Sequence, residues 1–453
     1  MSHYSVQAME SSGPRELGMS FLLAGLMTLI VAQRLFALPL SLGPGLSVEN
    51  ALLYVVLAVL LFKMAVQRTF RFELRELHVC FFLLIGYAAV SIVAAAIIVQ
   101  YPGYKTFQAI VTLKSRLVDQ LVYFAVFFYG LQQSRSAFNV LKIVFVLMIA
   151  ANLIALLDAW GYVEAAGLVE REDGRAQGVM GESNQSAAFI AAFLPGLAGL
   201  ALMSTGLSRL FWIGGTFVAV AAMLISASRG AVVALFLAGV WALVLFRQYI
   251  SGRVVAGALA IVAFVAVLAS TILSARYGSL LMDRFISDST SVDIVDVSSG
   301  RLDIWSNALA VMAQEPITFL SGYGWYVYKS MPFRLSPHNH YLALWFELGL
   351  VGLICGTAVL VLAVRAAVGA IGTVRSEYRN VLIAFAIGTM AIAIATFFVD
   401  LFTPWLWYWA YAGLVLRIAV NARVQARERA VPVAERPAIV KPDMFGWVST
   451  ARR

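Results

Sequence analysis

The chain has 453 residues, of which 61% are hydrophobic and 13% charged, with a mean hydropathy of +0.86. No soluble multidomain protein of this length carries that balance, so composition alone places the chain in a membrane. The net charge of +9 is largely the signal of short basic loops between apolar runs, and nucleic acid is not an implied partner.

Apolar runs near 18–33, 50–66, 78–100, 117–133, 138–160, 185–204, 208–227, 231–247, 253–275, 341–364, 380–398 and 401–420 predict about 12 membrane-spanning helices. Helices rather than a barrel follow from continuous apolarity. The first run follows a polar leader without a small-residue cleavage site and reads as an uncleaved anchor. Lys63, Arg68, Arg71 and Arg75 follow the second run, Arg135 and Lys142 the fourth, and Arg365, Arg375 and Arg379 the tenth. With Arg417, Arg423, Arg427 and Arg429 they predict cytoplasmic termini. Segments 161–184 and 276–340 then face outward, together with Lys105, Lys114, Arg116 and Arg229, four cations that run against the positive-inside bias. The first three share a short amphipathic stretch with Phe107, Ile110, Val111 and Leu113, which predicts an interfacial helix against anionic membrane lipid. Cys80 and Cys355 fall in different spans and read as small apolar residues.

Arg175 precedes Gly178, Gly181 and Asn184, with Glu170, Glu172 and Asp173 close by, so an ordinary ion pair and a substrate contact both stand. Arg229 lies in Ser226-Ala227-Ser228-Arg229-Gly230-Ala231 between two apolar runs. A charge at that depth is costly unless paired or facing water, which makes it a functional candidate; snorkelling to the interface is the plainer alternative. In 276–340, Leu302, Trp305, Leu309 and Met312 recur at spacings of three, four and three, predicting an amphipathic helix from Arg301 to Gln314 with Ser298 or Ser299 as cap. Arg301 then sits in a first turn, where unpaired N–H groups favour an anion. A headgroup-contacting arginine is its plainer reading.

Ser336 as N-cap and Pro337 as first helical residue predict the start of the next span, with His338 in its first turn and neutral there. His340 lies about 200° further round and faces elsewhere. Gly349, Gly352 and Gly356 return to the His338 face, either for close helix packing or as a groove for a lipid tail. After 420 the Arg-, Pro- and Val-rich composition predicts a disordered tail over 421–453, leaving 1–420 as the membrane domain. No metal-ligand spacing, P-loop or nucleophile elbow occurs, and Asp293 and Asp296 lie in a polar loop, so neither a metal nor another cofactor is called for.

Arg229 in Ser-Arg-Gly-Ala, Arg301 with Trp305 and the Gly322-Tyr323-Gly324 turn, and His338-Asn339 followed after nine residues by Gly349-Leu350-Val351-Gly352 together resemble the O-antigen ligase family of the O-antigen polymerase and ligase superfamily, across 175–356. The resemblance implies an all-α polytopic membrane protein of GT-C-like glycosyltransferase architecture with a periplasmic helical loop region, in the inner membrane of a Gram-negative bacterium. Such enzymes transfer O-antigen glycan from undecaprenyl pyrophosphate to lipid A-core oligosaccharide on the periplasmic face, without metal. It further implies Arg229 and Arg301 as pyrophosphate ligands, His338 as general base, Arg175 and Asn339 as auxiliary contacts, and inversion at the anomeric centre. A polymerase of the same superfamily, a protein O-oligosaccharyltransferase and a lipid-linked glycan flippase are the alternatives. A flippase should place polar residues at mid-membrane on several helices.

Overall fold

The computed structural model describes residues 14–36, 38, 41–43, 45–68, 72–164, 178–249, 252, 300–331, 333 and 337–430. They form helices α1 (Pro14–Leu35), α2 (Val48–Val66), α3 (Arg75–Val93), α4 (Thr106–Leu113), α5 (Asp119–Gly130), α6 (Ser134–Ala159), α7 (Ser183–Met203), α8 (Gly206–Ile225) and α9 (Arg229–Leu245). After the 253–299 stretch follow α10 (Arg301–Gln314), α11 (Thr318–Ser321), α12 (His340–Val368), α13 (Ser376–Ala395) and α14 (Thr403–Ala430). A small antiparallel ribbon, β1 (Ser41–Gly43) with β2 (Leu46–Ser47), leads into α2.

Among the described residues, 8 helices are long and apolar enough to cross a membrane: α1, α2, α3, α6, α7, α8, α12 and α13. Of the other expected spans, 231–247 falls largely on the shorter apolar α9, 117–133 on α5 with its lead-in, and all but the first two residues of 401–420 on α14. The run 253–275 lies outside the described residues. α14 turns its rings inward: Trp407, Trp409 and Tyr411 are buried against Phe189, Phe124 and Phe145. It continues past the expected boundary at 420 to Ala430.

α7 and α13 pack closely, because small residues let their backbones meet. Gly388 sits against the Ala192 carbonyl, and a Cβ on Gly199 would lie 3.3 Å from Ala384. In lipid, where burying apolar surface between helices gains little, such close packing is what holds helices together. α5 and α6 pack on α14, α3 on α12, and α9 on α13.

The expected interfacial helix takes another form. Residues 106–130 run as one helical segment, α4 joined to α5 through a π-helical turn, Lys114–Val118. Lys114 lies 2.9 Å from the Asp119 carboxylate; Arg116 stacks 3.5 Å over the Phe402 ring centroid with Asp400 at 3.8 Å. These two cations are held by the protein itself, which corrects their expected role against lipid headgroups; Lys105 stays exposed. At the other end of the bundle Arg417, 2% exposed, pairs with Glu73 at 2.7 Å and bonds the Phe128 carbonyl.

Candidate functional site

α8 and α9 form a hairpin closed by only Ser226, Ala227 and Ser228. The Ser226 hydroxyl bonds back to the Met223 carbonyl at 2.5 Å, and Ala227 takes a left-handed φ of 50° that reverses the chain. Arg229 is therefore the first residue of α9. Its N-cap, the buried Ser228, makes no side-chain capping bond, so the first-turn N–H groups of α9 receive no side-chain cap from it. Gly230 is required by packing: a Cβ there would lie 2.8 Å from Cβ of Phe398, just beyond α13.

α10 begins in the same manner. Gly300, at φ 71°, occupies the N-cap position without a capping side chain, and Arg301 opens the helix. The serines expected as caps lie outside the described residues. The buried seam of α10 is Ala308 and Met312 with Trp305 partly covered, whereas Leu302 and Leu309 are exposed, so the expected stripe is rotated. Trp305 anchors the next element by donating its indole N–H to the Pro337 carbonyl at 2.8 Å.

That bond moves the start of α12. The Ser336-Pro337 signal predicts a helix beginning at Pro337, yet His338 has φ 46° and α12 starts at His340. Asn339 is the N-cap, its Oδ1 accepting the Leu342 N–H at 3.0 Å. His338 thus stands just before the helix, in a left-handed conformation that non-glycine residues adopt only when their surroundings impose it. His340 turns away, with Nδ1 3.1 Å from Asp400 Oδ1 and its backbone N–H on the Thr396 carbonyl.

The three elements converge on a cavity of about 220 Å³, lined by Arg229, Arg301 and His338 together with Asn184, Ser228 and Phe398. Asn184 belongs to the first turn of α7, so three helix N-termini meet there, two of them opened by an arginine. Each such terminus favours an anion by roughly 0.3–1 kcal/mol when exposed and more when partly buried, and guanidinium adds charge-assisted, bidentate bonding. Burial pushes the His338 imidazole below its ordinary value of 6.5, opposed by the carboxylates of Glu182 and Asp400 and reinforced by Arg301 and Lys329. A neutral imidazole beside a cationic anion site can accept a proton near neutral pH. Asn184, Glu182 and the end of α13 carried no assigned role in the sequence; a Glu-Ser-Asn-Gln run at the head of an apolar span is the signal that could have raised the first two.

Beside this cavity, on the other flank of α10, runs an apolar groove of about 580 Å³ lined by Trp305, Leu309, Tyr341, Trp345, Leu353 and Phe397, with Asn339 at its head. The expected glycine stripe does not form it. Gly349 has φ 58° and ψ −154°, a kink that resets the helical period. The Gly322 turn fits into that kink: Tyr323 and Gly324 donate to the Phe346 and Glu347 carbonyls at 2.9 and 2.8 Å. A Cβ on Gly322 would strike the Glu347 carbonyl, and one on Gly349 the Leu320 carbonyl.

Arg175 lies outside the described residues. Among the described residues, no group of three His, Cys, Asp or Glu side chains is arranged to hold a metal. Residues 214–356 match a family model described as O-antigen ligase. No curated protein matches the chain.

Proposed function

We propose, from the match of residues 214–356 to a family model described as O-antigen ligase, that the protein is an inverting, GT-C-type O-antigen ligase of the bacterial inner membrane. It would transfer O-antigen glycan from undecaprenyl pyrophosphate to a hydroxyl of lipid A-core oligosaccharide at a periplasmic site. The observation that carries this reading is the single cavity in which Arg229 and Arg301, each opening a helix, face the same space as His338.

The chemistry asks for little more. Arg229 and Arg301 clamp the pyrophosphate oxygens and offset the charge that grows as the anomeric C–O bond breaks. His338 takes the proton of the acceptor hydroxyl, whose oxygen attacks the anomeric carbon from the face opposite the leaving group. Configuration inverts, undecaprenyl pyrophosphate departs, and the proton passes from His338 to water. The apolar groove supports a lipid-borne donor, since it leads away from the cavity along α12 with room for a hydrocarbon chain. Arg175 and Asn339 are proposed as auxiliary contacts, with Asn339 acting first of all through its cap on α12.

The test is transfer by purified protein in a chelator-treated mixture of lipid-linked O-antigen and lipid A-core. Glycan joined to lipid A-core supports the ligase; elongation of the lipid-linked chain alone selects a polymerase and overturns this reading.

A further inference from the structure

Behind the His338 turn lies a second, smaller space with polar groups set among apolar walls. His340 points into it from the head of α12 and Glu347 from the same face seven residues on, while Arg116 and Gln120 enter from the α4–α5 segment and Asp400 from the link between α13 and α14. Its volume of about 20 Å³ exceeds the 10–15 Å³ or so that one water molecule occupies by the same measure. Trp325 forms another wall, only 3% exposed, and its indole N–H has no hydrogen-bond partner among the described residues.

The other polar groups are already placed. Asp400 offers one carboxylate oxygen to His340 at 3.1 Å and the other to Arg116 at 3.8 Å. The Glu347 carboxylate accepts the Tyr326 backbone N–H, and the Trp325 backbone N–H reaches Ser91 Oγ at 3.0 Å. A buried indole N–H without an acceptor is destabilising, and interiors satisfy such donors with water where polar partners are at hand. Two carboxylates and one orphan donor on residues that line the same single-water volume supply the required two to four partners.

We propose that this chamber binds one structural water molecule, accepting the Trp325 indole N–H and donating to the Glu347 and Asp400 carboxylates, and that the bridge is a positioning element for His338. It ties the Gly322–Trp325 turn, α12 and the α13–α14 link into one unit. His338 stands two residues before His340 in a conformation that its own backbone does not favour, so slack in this unit is transmitted to it. The positioning half rests on the ligase reading above; the water does not.

Two measurements separate them. In wild-type protein carrying ¹⁵N-indole tryptophan, with the Trp325 resonance assigned by its loss in Trp325→Phe, the indole N–H should show a cross-peak to a long-lived water. Absence of that cross-peak overturns the water, whether or not the protein transfers glycan. In the transfer assay Trp325→Phe should lower kcat about 2- to 10-fold, the size of one hydrogen bond, with KM for both substrates within about twofold of wild type. Glu347→Gln, which keeps an acceptor oxygen, should recover more of kcat than Glu347→Leu. Wild-type kcat in Trp325→Phe, or equal kcat in the two Glu347 variants, overturns the positioning role.

Discussion

Arg229 and Arg301 are residues whose loss should be felt sharply, because each combines a guanidinium with a helix terminus whose N-cap residue makes no side-chain capping bond. Arg229→Ala and Arg301→Ala should each lower transfer by about 10²–10³-fold, the usual consequence of removing a donor to developing negative charge, with the monodisperse folded protein retained. Lysine should restore little, since a point charge loses the bidentate geometry. Activity within tenfold of wild type in either alanine variant, measured on purified protein, would remove that residue from the pyrophosphate site.

His338 carries a pH prediction with a definite sign. Burial holds its pKa below 6.5 and the Glu182 carboxylate partly restores it, so the base form persists into mildly acidic solution and activity falls as pH drops through the lowered value. Neutralising Glu182 removes the opposing influence. In Glu182→Gln the acid limb of kcat/KM should therefore move further toward acid, and an unmoved acid limb would show that Glu182 does not act on His338. His338→Gln should be nearly inactive across the range, by about 10²–10⁴-fold. Near-normal turnover in it would mean that His338 only donates a hydrogen bond.

Elements were legible in the sequence where one local force decides them, and misread where a distant partner does. Long apolar runs became helices because a lipid interior leaves the backbone no other way to satisfy its polar groups. The start of α12 was misplaced because the Trp305 indole holds the Pro337 carbonyl from another helix, an interaction no local cap signal carries. The glycine stripe was projected onto a straight helix, whereas Gly349 breaks the period. Gly349→Ala should accordingly cost about 1–3 kcal/mol in backbone strain alone, and more because the new Cβ strikes the Leu320 carbonyl. Gly356→Ala meets only the flexible tip of Leu344, at 2.5 Å, and its gain in helix propensity of about 0.5–1 kcal/mol offsets that contact. Thermal unfolding in detergent compares them directly; equal midpoints would show that the kink does not depend on glycine.

At the scale of the whole molecule, three of the four cations that contradicted the positive-inside bias are engaged by the protein. Lys114 is paired with Asp119, Arg116 with Asp400, and Arg229 lines the cavity, while Lys105 stays exposed. Asp119 lies close to Lys114 in sequence, whereas Asp400 is brought to Arg116 only by the fold, so no local signal set Arg116 apart from a headgroup-contacting cation. Cations engaged by the protein do not act as free loop charges during insertion, so the orientation signal comes from the opposite end, where Arg75, Arg375, Arg427 and Arg429 lie in or beside loops and at the end of α14. α12 leaves the cavity end at His340 and α13 returns to it at Ala395, so the connection holding Arg375 lies on the far side. Lys105 and Arg375 are both exposed and mark the two ends. In a Cys80→Ala, Cys355→Ala background, a membrane-impermeant thiol reagent admitted to the periplasm of intact cells should label Lys105→Cys and leave Arg375→Cys unmodified until the cells are lysed. The opposite pattern would put the arginine cavity in the cytoplasm, where neither a periplasmic donor nor a periplasmic acceptor can reach it.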